Sequence, residues 1–291
     1  MPPRARRQTG CKMRAVETRR MCPHCRAFIT TNDRVCPYCN EKVGARAIDR
    51  RDPSPVLGGF IPHAQFTTVI ILLINLGLYI ATTLYSMRAG NSEAFMGLDL
   101  GTLRDFGAKW NAAIRAGQWW RLVTAGFLHG GLLHIGMNSW VLFDVGAQVE
   151  QVYGASRLMV IYFVSTICGF YLSALWSPAI SVGASAAIMG LIGAMIALSL
   201  HHRSALTAAI RGTYIRWVIY MLIIGLLPGL QIDNAAHIGG LAGGFGVAYL
   251  AGLPRWEGSP RERIWQIASY VCIALTALCF LAMYRWLTRS T

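Results

Sequence analysis

Long apolar runs separated by short polar stretches dominate the chain from residue 66 onward. An apolar run of about 18 or more residues is long enough to cross a bilayer as a helix. Seven such runs stand at roughly 66–87, 122–148, 156–176, 184–201, 213–230, 234–252 and 264–285. The uncharged stretch from Leu158 to His202 is too long for one crossing, and SPAISVGA at 177–184 divides it in two. Ahead of these runs the pattern is polar. Residues 1–20 form a basic tail expected to be disordered, 21–43 a cysteine-rich module, and 44–62 a charged linker with Pro53 and Pro55. A six-span domain at 63–252 and a linker with a seventh helix at 253–291 follow. The expectation is an all-α polytopic membrane protein preceded by a small metal-binding module.

Composition agrees with the pattern. Hydrophobic residues make up 54% and charged residues 14% of the 291 positions, against about 25% charged in soluble domains. The net charge of +14 gathers in the N-terminal segment and the linkers, which suits anionic lipid and topology control. No aromatic–basic stacking pattern accompanies it, so a nucleic-acid partner is not expected. The first 20 residues lack an apolar core, so no cleavable signal peptide is expected. Basic residues cluster before the first span and after the fourth (Arg203, Arg211, Arg216) and sixth (Arg255, Arg261, Arg263), whereas the loops after the third and fifth carry none. By the positive-inside rule the N-terminus is cytoplasmic and the C-terminus outside, an arrangement expected of a bacterial inner membrane. The segment 88–121 breaks this pattern with Arg88, Arg104, Lys109, Arg115 and Arg121, but its Trp110, Trp119 and Trp120 suggest an interfacial position.

The eight cysteines fall into two groups. Cys22, Cys25, Cys36 and Cys39 form two Cys-x2-Cys pairs ten residues apart, the pattern of a tetrahedral sulfur site for structural zinc. A fragment of this size cannot bury enough apolar surface to fold unaided, so metal binding would supply its folding free energy. Cys168, Cys272 and Cys279 stand singly in apolar runs and read as small buried hydrophobes; Cys11 has no assignment.

Polar residues inside spans are costly and point to function. Ser185 opens the fourth span, His237 lies near the start of the sixth, and His134 and Asn138 sit four apart on the second. With the N-terminus inside, all four lie in the outer parts of their helices. A serine beside a histidine base can act as a nucleophile. His134, Asn138 and the Ser185 backbone N–H could then donate to the oxyanion of a tetrahedral intermediate. Gly240 and Gly244 share the face of His237, and Ala186, Gly190 and Ala194 form a small-residue stripe on the fourth span, a pattern that lets helices approach closely. Asp233, four before His237, suits a helix start better than a third catalytic member. His129 joins His134 and Asn138 in suggesting a wet cavity open to the outer face.

These residues resemble the rhomboid intramembrane serine proteases. WWRLVTAGFLHGGLLHIGMN (119–138) is similar to the family's Trp-Arg pattern followed by His-x3-Asn, GASA (183–186) to its Gly-x-Ser-x motif, and AHIGGLAGG (236–244) to its Ala-His-x2-Gly pattern. The resemblance implies a rhomboid-like six-helix bundle with a seventh helix in a 6+1 arrangement. It implies Ser185 as nucleophile and His237 as base without an acid, His134 and Asn138 as oxyanion hole, Gly183 in the nucleophile's motif, and Trp120 and Arg121 in a structural first loop. Substrates would be single-pass or other membrane proteins cut within transmembrane segments, with no catalytic cofactor. Two positions depart from the family pattern: Ala186 stands where glycine is common, and Met189 where an aromatic often supports the histidine. Altered rates rather than inactivity are expected from them. The zinc module lies outside the resemblance and could recruit a protein partner.

Two other readings compete. A catalytically silent rhomboid-like protein would bind membrane clients, but silent relatives usually lose the serine or histidine, and both are present here. A transporter with a histidine proton relay would show repeated halves and a charged midplane path, and the sequence displays neither.

Overall fold

In the computed structural model the described residues are 19–22, 24–30, 33–43, 65–201, 205–228, 231–254 and 259–290. Most of the basic tail with Cys11, the linker 44–62, Arg203 and Arg255 lie outside them. The N-terminal module is a hairpin of β1 (Arg19–Met21) and β2 (Phe28–Thr30), paired antiparallel with Arg20 opposite Ile29. Its buried apolar centre is Cys22, Ile29, Cys36 and Val43, too small a core to fold on hydrophobic burial alone. Arg20 is buried and its Nη2 donates to the carbonyls of Asp33 (2.7 Å) and Val43 (2.8 Å).

The other described residues are mainly helical: α1 (Phe66–Arg88), α2 (Leu100–Asp105), α3 (Asn111–Arg115), α4 (Arg121–Thr124), α5 (Leu132–Tyr153), α6 (Ala155–Trp176), α7 (Ser185–His201), α8 (Ala205–Ile224), α9 (Asn234–Ala251) and α10 (Pro260–Ser290). Seven long helices thus correspond to the seven apolar runs. By length and composition α1, α6, α10 and Thr207–Ile224 of α8 can each cross a membrane. The central α7 is shorter, α5 is diluted by His134, Asn138, Asp144 and Glu150, and α9 by Asn234, His237 and its glycines. α7 is buried along almost its whole length, with α9, α6, α5 and α8 packed around it and α10 set against α6.

Two expected spans shift. The second begins at Leu132, not 122: Arg121–Phe127 is the short α4 and one 3-10 turn, tied to the preceding segment by Thr124 Oγ1 donating to the Gly107 carbonyl. Gly130 and Gly131 then break the path, and a side chain at Gly131 would strike the Met96 carbonyl. The fifth runs Ala205–Ile224 rather than 213–230, ending where Asn234 Nδ2 donates to the Leu222 carbonyl (3.0 Å).

α1 illustrates a helix solvated by lipid. Its buried positions are Thr68, Ile71, Asn75, Tyr79, Thr82, Thr83 and Ser86, while Leu73, Leu76, Ile80 and Leu84 are exposed. Association inside a bilayer relies on packing and polar contacts rather than on hiding apolar surface, so the polar stripe faces the protein. At its start, buried Glu150 of α5 accepts from Thr68 N–H (3.0 Å), Thr68 Oγ1 (2.9 Å) and Thr67 N–H (3.1 Å). One carboxylate thereby satisfies amide groups that a helix start leaves open.

Arg157 at the start of α6 and Glu262 at the start of α10 form a buried two-point ion pair at 2.7 and 2.8 Å. Removing one partner strands the other charge. We expect Glu262→Gln to cost about 3 kcal/mol, read as a lower midpoint of thermal unfolding in detergent. Replacing both partners by apolar residues should recover much of that loss. A wild-type midpoint for Glu262→Gln would show that the pair holds nothing in place.

Candidate active site

The loop before α7 is fixed from the outside. Lys109 is fully buried, exchanges backbone hydrogen bonds with Ser181 (3.0 and 3.2 Å), and its Nζ donates to the carbonyls of Ser177 (2.6 Å) and Ala179 (2.9 Å). Two residues on, Gly183 N–H donates to the Ala125 carbonyl at 2.9 Å. Ser185 then opens α7, where the first amide groups have no intrahelical acceptor. Lys109 carries no motif signal. Together with Arg121, also fully buried, it takes two of the five basic residues of 88–121 out of solvent.

Ser185 Oγ lies 2.9 Å from His237 Nε2. His237 is buried near the start of α9, whose cap is Asp233: its Oδ1 accepts from Ala236 N–H (3.0 Å) and its Oδ2 from the Ser173 hydroxyl. Asp233 therefore serves the helix start, and His237 Nδ1 has no hydrogen-bond partner among the described residues. The pair is a serine–histidine dyad in geometry.

α9 can reach α7 because both carry glycine at the crossing. A side chain at Gly240 would collide with the Ala186 backbone, and one at Gly244 with the Gly190 backbone. Ala186 is fully buried, and its methyl is accommodated by Gly169 of α6 while Gly240 of α9 packs on its backbone. Met189, one turn beyond Ser185, is buried in the main core.

His134 and Asn138 flank the opposite side of Ser185's loop. His134 Nδ1 accepts from Gly130 N–H (3.3 Å), which leaves the ring proton on Nε2. A Cβ added at Gly183 would lie 2.7 Å from that Nε2 and 3.7 Å from Asn138 Nδ2. Two donors thus converge on the space that this glycine leaves empty. Asn138 Nδ2 also donates to the His134 carbonyl (3.1 Å), fixing the amide's orientation. His129 is buried with its ring edge-on to His134, centroids 5.2 Å apart. Trp120 and Arg121 stand behind this wall: Arg121 Nη1 donates to the carbonyls of Arg104 (2.7 Å) and Ala108 (3.1 Å), and its guanidinium stacks 4.7 Å from Trp120.

The second cluster is Cys22, Cys25, Cys36 and Cys39, whose sulfurs all lie within 4.8 Å of one another. The two knuckles repeat one design. Cys22 and Cys36 N–H each donate to the carbonyl five residues on (both 2.8 Å), and Arg26 and Asn40 take the left-handed conformation at φ 61° and 58°. Sulfur pairs Cys22–Cys39 and Cys25–Cys36 stand 3.7 Å apart, close to the edge of about 3.8 Å of a tetrahedron with Zn–S bonds of about 2.3 Å. The donor set fits a four-thiolate metal centre.

The Rhomboid domain family model matches residues 116–254, which include Ser185, His129, His134, His237 and Asn138. Rhomboid protease GluP of Bacillus subtilis is 41% identical over 177 residues, 60% of this chain and 34% of that protein. Rhomboid-like protease 3 of Toxoplasma gondii is 35% identical over 184 residues, 60% of this chain and 67% of that protein. Inactive RHOMBOID-like protein 8 of Arabidopsis thaliana is 34% identical over 160 residues, 54% of this chain and 45% of that protein. The chain therefore spans about a third of the Bacillus relative and under half of the inactive one. On the matched domain and the two-thirds coverage of the Toxoplasma relative, the chain is an integral membrane protein that belongs to the rhomboid family.

Proposed function

We propose that the protein is an intramembrane serine endopeptidase that cleaves transmembrane segments of other membrane proteins. The observation that carries this reading is the 2.9 Å contact between His237 Nε2 and Ser185 Oγ beside the converging donors of His134 and Asn138. In this mechanism His237 Nε2 takes the proton as Ser185 Oγ attacks the scissile carbonyl. The oxyanion forms in the space beside Gly183, where His134 Nε2–H, Asn138 Nδ2–H and the Ser185 N–H donate to it. His237 returns the proton to the leaving amine, and water repeats the sequence on the acyl-enzyme to release the second product. No acid is required, since Asp233 is occupied at the α9 start.

The arginine distribution supports a cytoplasmic N-terminus, a site opening to the outer face and residence in a bacterial inner membrane. A client-binding protein without catalysis is the competing function, favoured by the likeness to an inactive Arabidopsis member. Cleavage of a single-span substrate in proteoliposomes, with fluorophosphonate labelling of Ser185, separates the two. Cleavage together with labelling is expected, and the failure of both would leave the client-binding reading.

The four-cysteine module holds structural zinc in this reading, with a protein partner as its further role. Metal analysis should find one zinc per chain, and chelation should unfold the module while the helical bundle keeps its melting midpoint. Zinc-free protein with an intact hairpin would refute it.

A further inference from the structure

The C-terminal end of α10 bears a groove that neither the proposed chemistry nor the bundle packing uses. Leu278, Leu281, Arg285, Trp286 and Arg289 line a cavity of about 370 Å³ there, together with Trp120. Leu278 and Leu281 are exposed and apolar. Arg285 and Arg289, one turn further along, are exposed, and neither meets an acidic side chain among the described residues. The two indoles are held in place, since the buried guanidinium of Arg121 sits 4.7 Å from Trp120 and 5.9 Å from Trp286. Along α10 the lining runs from Leu278 and Leu281 through Arg285 and Trp286 to Arg289.

We propose that this groove binds an anionic phospholipid, with its phosphate on Arg285 and Arg289 and an acyl chain along Leu278 and Leu281. Tryptophan and arginine at a helix end often serve only as interfacial anchors. Here, however, Trp120 from the segment before α4 joins α10 in lining one groove, and Arg285 and Arg289, four positions apart on one helix face, both belong to that lining. A soluble phosphate would gain nothing from the leucines, and a zwitterionic lipid little from a second cation. The groove lies at the same end of the bundle as Ser185, because the segment carrying Trp120 and Arg121 continues to Ala125, which holds Gly183.

The test uses the full-length protein in phosphatidylcholine vesicles with brominated-chain phosphatidylglycerol or brominated-chain phosphatidylcholine as the probe. Quenching assigned to Trp286, by difference from Trp286→Phe, should report a roughly tenfold preference for the anionic lipid. Arg285→Gln with Arg289→Gln should reduce that preference to near unity, whereas the two lysine substitutions should keep most of it. Equal quenching by both lipids would overturn the proposal, as would a preference that survives the glutamine pair. Displacement by millimolar glycerol phosphate would identify a soluble-phosphate site instead and overturn it equally.

Discussion

Ser185→Ala and His237→Ala are each expected to lower cleavage of a single-span substrate by about 10⁴-fold or more, and the double variant no further. The reasoning is that the two side chains act as one unit. The serine hydroxyl is a weak nucleophile without a base, and the base at 2.9 Å has no other proton to move. Non-additivity is therefore the signature to look for, rather than the loss alone. Asp233→Asn provides the contrast. In a triad the carboxylate holds the histidine tautomer and its loss costs about 10⁴ in rate, but here Asp233 caps α9 and bonds Ser173. An asparagine also caps well, so this variant should keep most of its activity. Proteoliposome cleavage rates decide the matter. A Ser185→Ala protein that still cleaves would remove the dyad from the mechanism, and an inactive Asp233→Asn would restore an acid to it.

The parts of this architecture that were legible in the sequence are those carried by local periodicity or by fixed short spacing. The apolar runs gave the seven long helices, the two Cys-x2-Cys pairs the four-cysteine cluster, and the one-turn spacing of His134 and Asn138 their shared face. What stayed hidden depends on long-range pairing. VTAGFL at 123–128 is as apolar as a span, yet it lies in the first loop, held by a threonine and buried guanidinium contacts to residues 104–108. Arg157 and Glu262 are 105 positions apart, and nothing near either residue signals the other. The clasp of Lys109 on the 177–181 carbonyls is equally silent, because a lysine beside tryptophans reads as an interfacial anchor. The polar face of α1 was illegible for a different reason. Thr68, Thr82 and Ser86 are ordinary residues in an apolar helix, and only the presence of lipid on the other side makes their face the inner one.

Gly183→Ala is expected to lower the cleavage rate by about 10³-fold while changing apparent substrate affinity little, a loss that belongs to the transition state. Two features of the backbone require glycine there. Its φ of +130° is one that side chains rarely adopt. Its missing Cβ is also, in the proposed mechanism, the space the oxyanion takes, 2.7 Å from His134 Nε2 and 2.9 Å from the adjacent ring carbon. The ring cannot yield easily, because Gly130 N–H holds its Nδ1 and His129 lies against it. A methyl would therefore fill the space meant for the substrate oxygen and push aside the donor that stabilises its charge. Fluorophosphonate labelling of Ser185 should slow in parallel, since the phosphoryl oxygen needs the same donors. Backbone strain of this kind costs only about 1–3 kcal/mol of stability, so the melting midpoint should fall far less than the rate. If Gly183→Ala cleaves and labels at wild-type speed, the oxyanion does not form between His134 and Asn138. The donors of the α7 N-terminus would then have to carry that charge alone.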